Sequence, residues 1–387
     1  MRSVLPPDSA VSAPQQKHLA TALPLPLPHL WFMSKTSYRG PQHTKAINLA
    51  LQGGGSHGAF TWGVLDRLFQ EDPLWIEAIS GTSAGAMNAV VAAQGMYDNG
   101  AAGAREALAD FWSQVSKSAQ FSPIQRTPFD ILSGKWSLDH SPGFLMMDML
   151  SHVTSPYDTN LLDINPLRNL VEDFVDFDKV SCPQDMEIFI SATNVETGTV
   201  KVFRRKEITL DVVMASACLP FLYKAVEIDG TPYWDGGYMG NPVLYPFIDA
   251  SPSQDILIIQ INPLERKGAP RSARDIENRV NEITFNGSLL RELRNIDLIN
   301  QLIETGKLST DDVRHIFVHM IEGGDEMNSL GASSKLNAEW AFLTHMRDIG
   351  RAAADTWLDT CFDHIEKRST VDFKRLFRDI GVPHIRK

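Results

Sequence analysis

Two short apolar stretches in the first third of the chain are each followed by a glycine-containing loop and a helical pattern. Residues 45–52 (KAINLALQ) predict a strand, and residues 59–70 carry apolar side chains at helical spacing. Residues 75–80 (WIEAIS) predict a covered strand, and residues 84–94 are rich in small helix-forming side chains and stop before Gly95. Two consecutive strand–loop–helix units predict parallel strands joined by right-handed crossovers, which is an α/β fold.

The rest of the chain continues with strand and helix patterns. A turn at residues 194–198 separates two strand-like stretches and predicts a hairpin. The predicted strands are 187–193, 199–205, 223–228, 231–234, 255–263 and 314–321. The predicted helices are 101–118, 165–177, 209–217, 275–306 and 337–367, the last with a break at Gly350.

Residues 121–157 have a different character. Prolines at four positions are mixed there with many large apolar side chains, which predicts a loop-rich segment. Such a segment is either a lid or access wall beside a lipid-shaped pocket, or an irregular layer of the core.

Charge and composition narrow the possible partners. The chain carries 36 Lys and Arg against 47 Asp and Glu, a formal net charge of −11. This balance argues against nucleic acid as a partner, and against adhesion to anionic lipid by overall charge. The three cysteines and 11 histidines show no metal-ligand spacing. We therefore expect no metal and no cofactor, and the reduced thiols of a cytoplasmic protein.

The amino-terminal region is rich in proline. The prolines break any apolar core of a signal peptide, and no apolar run approaches the roughly 20 residues of a membrane helix. We expect residues 1–42 to be a disordered tail and residues 43–387 to form a single domain.

Ser83 lies in the pattern Gly81-Thr82-Ser83-Ala84-Gly85, between a predicted strand and a predicted helix. A serine on such a sharp turn is held in strained backbone, and neighbours without side chains let the chain segments pass closely. Its hydroxyl is then exposed at the carboxyl edge of the sheet, beside the positive end of a helix dipole. The pattern indicates a nucleophile, although an ordinary strand–helix connection can look the same.

The glycine loop Gly53-Gly54-Gly55-Ser56-His57-Gly58 supports two functional interpretations besides a plain tight turn. Gly53, Gly55 and Gly58 match the dinucleotide fingerprint, but no carboxylate stands about 20 positions further on to bind a ribose. Alternatively, backbone N–H groups exposed at a helix start form an oxyanion hole.

The sequence Asp235-Gly236-Gly237 follows a predicted strand. Asp-Gly is a strong turn signal, and the glycines also allow another segment to approach the carboxylate closely. Taken alone, this stretch does not distinguish a structural turn from a functional one.

The three motifs, in this order, resemble the patatin-like phospholipase family. The resemblance implies a three-layer α/β/α fold with a mostly parallel central sheet and a Ser–Asp dyad in place of a Ser–His–Asp triad. Ser83 would be the nucleophile and Asp235 its base, acting on a lipid or other carboxylic ester, with transient contact to a membrane surface left open. The oxyanion hole would come from Gly53, Gly54 and Gly55, and the supporting motif positions would be His57, Gly58, Gly81, Gly85, Gly236 and Gly237.

His57 departs from the family pattern, which usually has Arg or Lys at this place in the loop. A fixed positive charge is thereby replaced by a titratable group. A triad through His57, or through His315, His319 or His364, remains an alternative. Two further alternatives are a dinucleotide-binding oxidoreductase and a non-catalytic patatin-like binding protein.

Overall fold

An eight-stranded mixed sheet forms the centre of the computed structural model, which describes residues 40, 42–310 and 313–377. The predicted disordered tail therefore falls, apart from residues 40 and 42, outside the described residues. The strands are β1 Lys45–Leu51, β2 Leu74–Gly81, β3 Glu187–Asn194, β4 Val200–Arg204, β5 Val226–Ile228, β6 Thr231–Asp235, β7 Asp255–Gln260 and β8 Phe317–Glu322.

The sheet has the order β5-β6-β3-β2-β1-β7-β8, with β4 paired to β3 outside this path. The five strands β3, β2, β1, β7 and β8 are mutually parallel, whereas β4, β5 and β6 pair antiparallel. Because β1 and β2 are parallel neighbours, the glycine loop after β1 and the serine turn after β2 lie side by side. The predicted hairpin is confirmed as the β3–β4 pair.

Helices cover both faces of the sheet. The helices are α1 Gly58–Leu68, α2 Ala84–Ala119, α3 Pro128–Leu132, α4 Pro142–Val153, α5 Pro156–Thr159, α6 Pro166–Phe174, α7 Phe177–Ser181, α8 Leu210–Ser216, α9 Tyr245–Ala250, α10 Ala273–Glu304, α11 Gly324–Asn328, α12 Trp340–Cys361 and α13 Phe373–Leu376.

Two apolar cores lie on opposite faces of the sheet. Alternate side chains of β7 show the division, since Leu257 packs in one core and Ile256 in the other. The first core includes α1, α2 and α12, and the second includes α9 and α10. This arrangement confirms the three-layer α/β/α fold.

Two glycines predicted to end or break helices are instead points of close packing. Helix α2 continues through Gly95 and α12 through Gly350. A Cβ at Gly95 would lie 2.4 Å from Gly103 O, and one at Gly350 would lie 2.1 Å from Phe60 O. Helix α2 bends further along, at Asn99 and Gly100, where the backbone is not helical.

The segment predicted to be loop-rich contains the three short helices α3, α4 and α5. Each begins with a proline in its first turn, preceded by Thr127, Ser141 or Ser155 as the capping residue. Proline suits this position because its missing N–H has no acceptor there in any helix. The prolines therefore start helices here instead of interrupting them.

Candidate active site

Ser83 connects β2 to α2 and adopts φ 54° and ψ −118°, a strained conformation for a residue with a side chain. Its backbone N–H donates to Ser216 Oγ at 2.8 Å. The flanking glycines are required by close packing: a Cβ at Gly81 would lie 2.4 Å from Gly85 O, and one at Gly85 would lie 2.4 Å from Leu51 O. The turn thus holds a partly exposed serine at the carboxyl edge of the sheet.

Asp235 reaches the same place because of the strand register around β3. Strand β4 occupies one edge of β3, so β2 and β6 share successive stretches of the other edge. Gly81 at the end of β2 lies opposite Ile190, and Asp235 at the end of β6 lies opposite Ala192. The serine turn and the aspartate loop therefore meet.

Hydrogen bonds from polar side chains connect the serine turn and the aspartate loop to each other and to β3. Thr82 Oγ1 donates to Gly240 O at 2.7 Å and lies 2.6 Å from Ser191 Oγ. Thr193 Oγ1 donates to Asp235 O at 2.8 Å. Both loops are thereby tied to β3 and to each other, which limits how far either can move.

Asp235 is only 2% exposed. Burial raises its pKa to about 7, because the low-dielectric surroundings disfavour the charged form. Three neighbours oppose this rise and lower the pKa: the Gly237 N–H, which donates to Oδ1 at 2.6 Å, the hydrogen-bonding Ser83 side chain, and the Lys335 charge. A carboxylate with this pKa is suited to accept a proton near neutral pH.

The glycine loop packs directly against the serine. A Cβ at Gly53 would lie 2.8 Å from Ser83 Cβ and 2.9 Å from Thr82 O. The Gly53 N–H donates to Asn241 Oδ1 at 2.7 Å, and Gly53 O accepts from Asn262 Nδ2 at 2.9 Å.

The prediction that Gly53 supplies an oxyanion donor is therefore wrong for its own amide, which already has an acceptor. Gly53 instead sets the distance between the loop and Ser83. The amides of Gly54 and Gly55 have no acceptor within the described residues. Both amides are therefore available to an external acceptor.

The other predicted glycines serve the packing of the loops. A Cβ at Gly58 would lie 2.7 Å from Ala84 Cβ, one at Gly236 would lie 2.3 Å from Ser191 O, and one at Gly237 would lie 2.1 Å from the Phe285 ring. Side chains at these positions would push apart the segments that form the site.

His57 is buried, and its ring contacts Ser334 and Phe342. Its Nε2 lies 2.8 Å from Ser334 Oγ. Burial, with a smaller contribution from the Lys335 charge, lowers its pKa to about 3, so the ring is neutral at physiological pH. The basic residue of the family pattern is thus replaced by a neutral side chain.

The later histidines have other partners. His319 Nε2 lies 2.9 Å from Asp255 Oδ1, at the amino-terminal end of β7. His315 lies 3.5 Å from Glu304, and His364 lies 2.7 Å from Arg368. Within the described residues no histidine hydrogen-bonds Ser83 or Asp235, which contradicts the alternative of a Ser–His–Asp triad.

A cavity of about 400 Å³, with both apolar and polar walls, borders the aspartate loop. Tyr238 from that loop lines it together with Lys335 and Phe285. Its apolar wall also includes Phe144, Met147, Leu219, Phe221 and Leu222. A second cavity of about 730 Å³ shares Tyr238 and Phe221 with the first.

The sequence profile of patatin-like phospholipases matches residues 49–248, just over half of the chain. The chain belongs to the patatin-like phospholipase family. The match extends from the glycine loop past the Asp235 loop, so it contains all three motifs. Membership of this family indicates lipid acyl hydrolysis in general.

Other comparisons with known proteins add little to the family assignment. The crystal structure of VipD from Legionella pneumophila is similar to this chain with a TM-score of 0.33 and 13% identity, covering 82% of this chain and 67% of that one. No curated protein matches this patatin-like sequence.

Sequence reasoning missed several polar residues of this patatin-like site. Ser216 accepts from the Ser83 amide, Asn241 from the Gly53 amide, and Asn262 donates to Gly53 O. Lys335, from the segment between α11 and α12, faces the aspartate loop across Phe285. No local pattern marks these positions, because each acts through a segment distant in sequence.

Two further findings concern ligands and membranes. In the described part of the chain, no three His, Cys, Asp or Glu side chains are grouped as metal ligands would be. Across the same residues, each helix is too short or too polar to cross a lipid bilayer.

Proposed function

We propose that this protein is a lipid acyl hydrolase of the phospholipase A or lysophospholipase type, with Ser83 as nucleophile and Asp235 as general base. The observation that carries the proposal is the Ser83 hydroxyl, held on a strained backbone beside the buried Asp235 carboxylate. Burial raises the pKa of this carboxylate to about 7. Serine needs an adjacent base to act as a nucleophile, and this carboxylate can serve as one without an imidazole.

In the acylation step, Ser83 Oγ forms a bond to the ester carbonyl carbon while its proton passes to Asp235. The carbonyl oxygen becomes an oxyanion, which the N–H groups of Gly54 and Gly55 would stabilise. When this intermediate collapses, the bond to the alcohol oxygen breaks, and the alcohol leaves with the proton from Asp235. Ser83 then carries the acyl group.

Deacylation repeats the sequence with water. Asp235 takes a proton from the water molecule as its oxygen attacks the acyl carbonyl carbon. Collapse of the second intermediate breaks the bond to Ser83 Oγ, and the proton returns to that oxygen. A free fatty acid is released, and both side chains are restored.

The first cavity, beside the aspartate loop, has one apolar wall that suits an acyl chain. Phe, Leu and Met side chains from α4, from the segment after α8 and from α10 form this wall, whereas the rest of the lining is polar or charged and includes Arg274 and Glu277. We assign the apolar wall to the fatty acyl part of the substrate, because buried apolar surface is the main way in which proteins bind such chains.

An apolar rim surrounds the second cavity, formed by Val153, Tyr157 and Phe221. These side chains are 72%, 56% and 68% exposed. Exposed apolar groups clustered at a cavity mouth are typical of interaction sites. Because the chain has a net charge of −11, we propose transient contact with an electrically neutral lipid surface.

The dinucleotide-binding alternative has less support. The glycine loop packs against Ser83, and the strand that follows ends in Ser80 and Gly81, where a ribose-binding carboxylate is required. The family match also spans this loop. For the non-catalytic alternative, the contact between Ser83 and Asp235 is the opposing observation.

Active-site labelling tests the dyad. A fluorophosphonate probe should label Ser83, and Ser83→Ala should abolish both labelling and release of fatty acid from phospholipid and lysophospholipid. Ser118→Ala is the matched control, since Ser118 is exposed near the end of α2. Hydrolysis that persists in Ser83→Ala would refute the assignment.

Vesicle binding tests the rim. Val153→Ser with Tyr157→Ser should weaken co-sedimentation with phosphatidylcholine vesicles and slow hydrolysis of vesicle lipid, but not of a short soluble ester, because both side chains lie outside the first cavity. The control is Tyr97→Ser, because Tyr97 is also half exposed but lies with Trp75 at the opposite edge of the sheet. Equal losses on both substrates would show that the rim does not bind a lipid surface.

A further inference from the structure

Lys335 is placed against the glycine loop from a segment far away in sequence. It belongs to the short 3-10 helix Ala332–Leu336. A Cβ at Gly55 would lie 2.4 Å from Lys335 O, so the two backbones are in close contact. The Lys335 ammonium donates to Asn262 Oδ1 at 2.7 Å, and Asn262 in turn donates to Gly53 O at 2.9 Å.

Glu282, whose charge raises the pKa of Lys335, already has cationic partners. Glu282 accepts from Arg266 at 2.6–2.9 Å and from Arg279 at 3.1 Å. In the described part of the chain, the side-chain acceptor of the Lys335 ammonium is the neutral Asn262 amide. Lys335 is therefore not required to neutralise Glu282.

The Lys335 ammonium also faces the Asp235 loop. It lies 5.8 Å from the centre of the Phe285 ring, and that ring packs against Gly237. Both Lys335 and Phe285 line the cavity whose apolar wall we assign to the acyl chain. The cation, the cavity and the aspartate loop thus form one continuous surface.

We propose that Lys335 is a positioning residue of this site, whose ammonium holds the glycine loop in place through Asn262 and places a positive charge beside the Asp235 loop. This inference rests on the proposed hydrolase function. Lys335 supplies from another part of the fold the positive charge that the neutral His57 does not provide.

The charged and titratable groups around Asp235 support this assignment. The Lys335 charge lowers the Asp235 pKa, and the Asp235 charge in turn raises that of Lys335. Cys218 and Tyr238 also face Asp235, but burial raises the pKa of each to about 12, so both are neutral at pH 7. Among the described residues, Lys335 is the cation that favours the ionised aspartate.

The groups around Lys335 set the pH range over which it stays charged. Burial lowers its pKa to about 8, helped by the Arg266 charge, while Glu282 and Asp235 oppose this. Burial and the Lys335 charge lower the pKa of His57 to about 3, so His57 is neutral at higher pH. The carboxylate and the ammonium therefore coexist at neutral and slightly alkaline pH.

The first test is the pH dependence of kcat/KM for a soluble ester. Lys335→Met should move the acidic limb of the kcat/KM profile to higher pH by about one unit. Below pH 6 this shift is about a tenfold loss of kcat/KM. Lys335→Arg should restore the limb. The matched control is Lys179→Met, because Lys179 pairs with Asp98 on the surface. A limb that is the same in Lys335→Met and the wild type would overturn the proposal.

The second test needs no substrate. The effect of Asp235→Asn on the midpoint of thermal unfolding is measured from pH 5 to pH 8, with either Lys or Met at position 335. The effect grows with pH until it levels off at the Asp235 pKa, so it should level off at a higher pH in the Met background. Identical profiles would refute the proposal, whereas a shift with no esterase activity in the wild type would refute only the proposed function.

Discussion

Asp235→Asn should abolish hydrolysis and at the same time stabilise the protein in a pH-dependent way. Burial raises the Asp235 pKa from its ordinary 3.8 to about 7. Between these values the folded state binds a proton that the unfolded state has lost, so the wild type loses stability as pH rises through this window. Asparagine does not ionise, so the variant does not lose this stability as pH rises.

The size of the effect follows from the two pKa values. At 1.36 kcal/mol per pKa unit, the gain in unfolding free energy for Asp235→Asn is about 4 kcal/mol at pH 8 and about 2 kcal/mol at pH 5. Over a chain of 387 residues, the larger gain raises the unfolding midpoint by about 5 °C.

The assay is thermal unfolding of wild type and variant at pH 5 and pH 8, with fatty acid release measured in parallel. Glu292→Gln is the matched control. Burial also raises the Glu292 pKa to about 7, but this carboxylate accepts from the amides of Leu244 and Tyr245 and lies outside the dyad. This control should gain about 3 kcal/mol at pH 8 and keep its activity.

Two results would each contradict part of this reasoning. If Asp235→Asn has the same unfolding midpoint relative to the wild type at both pH values, Asp235 is not a buried group that is costly to ionise. If Glu292→Gln also loses activity, the loss in Asp235→Asn cannot be attributed to the dyad.

Three further substitutions test the geometry of the site. Ser83→Gly should abolish fluorophosphonate labelling and raise the unfolding free energy by about 1 kcal/mol, because glycine adopts φ 54° without strain; an unchanged urea midpoint would contradict the strain. Gly53→Ala should lower kcat/KM about 100-fold in a folded protein, since its methyl group would press on Ser83 and displace the oxyanion donors; near-normal kinetics would show that the loop does not set this distance. His57→Gln should reduce the loss of stability as pH falls from 6.5 towards 3, because the buried wild-type ring resists a proton that the unfolded chain accepts; equal acid unfolding curves would show that His57 is not buried and neutral.

Much of the fold could be predicted from local patterns. The strand, loop and helix around Ser83 follow from a short apolar run, two glycines and a small-residue helix, all within about one βα unit. The hairpin of β3 and β4 also has its turn residues in the sequence. Local patterns failed at α3, α4 and α5, where prolines after Ser or Thr begin helices.

The sequence by itself determined the candidate nucleophile and the order of the loops, because backbone strain and close packing impose residue types within a few positions. The candidate base came from the resemblance of the three motifs to the patatin-like family. The tertiary structure decided which glycine amides are free, that His57 is neutral, and that Lys335 supplies the nearby positive charge. The physical reason is that hydrogen-bond availability and pKa depend on burial and on neighbours from distant segments. Those neighbours are brought together only when β6, α10 and the segment after α11 pack around the end of β2.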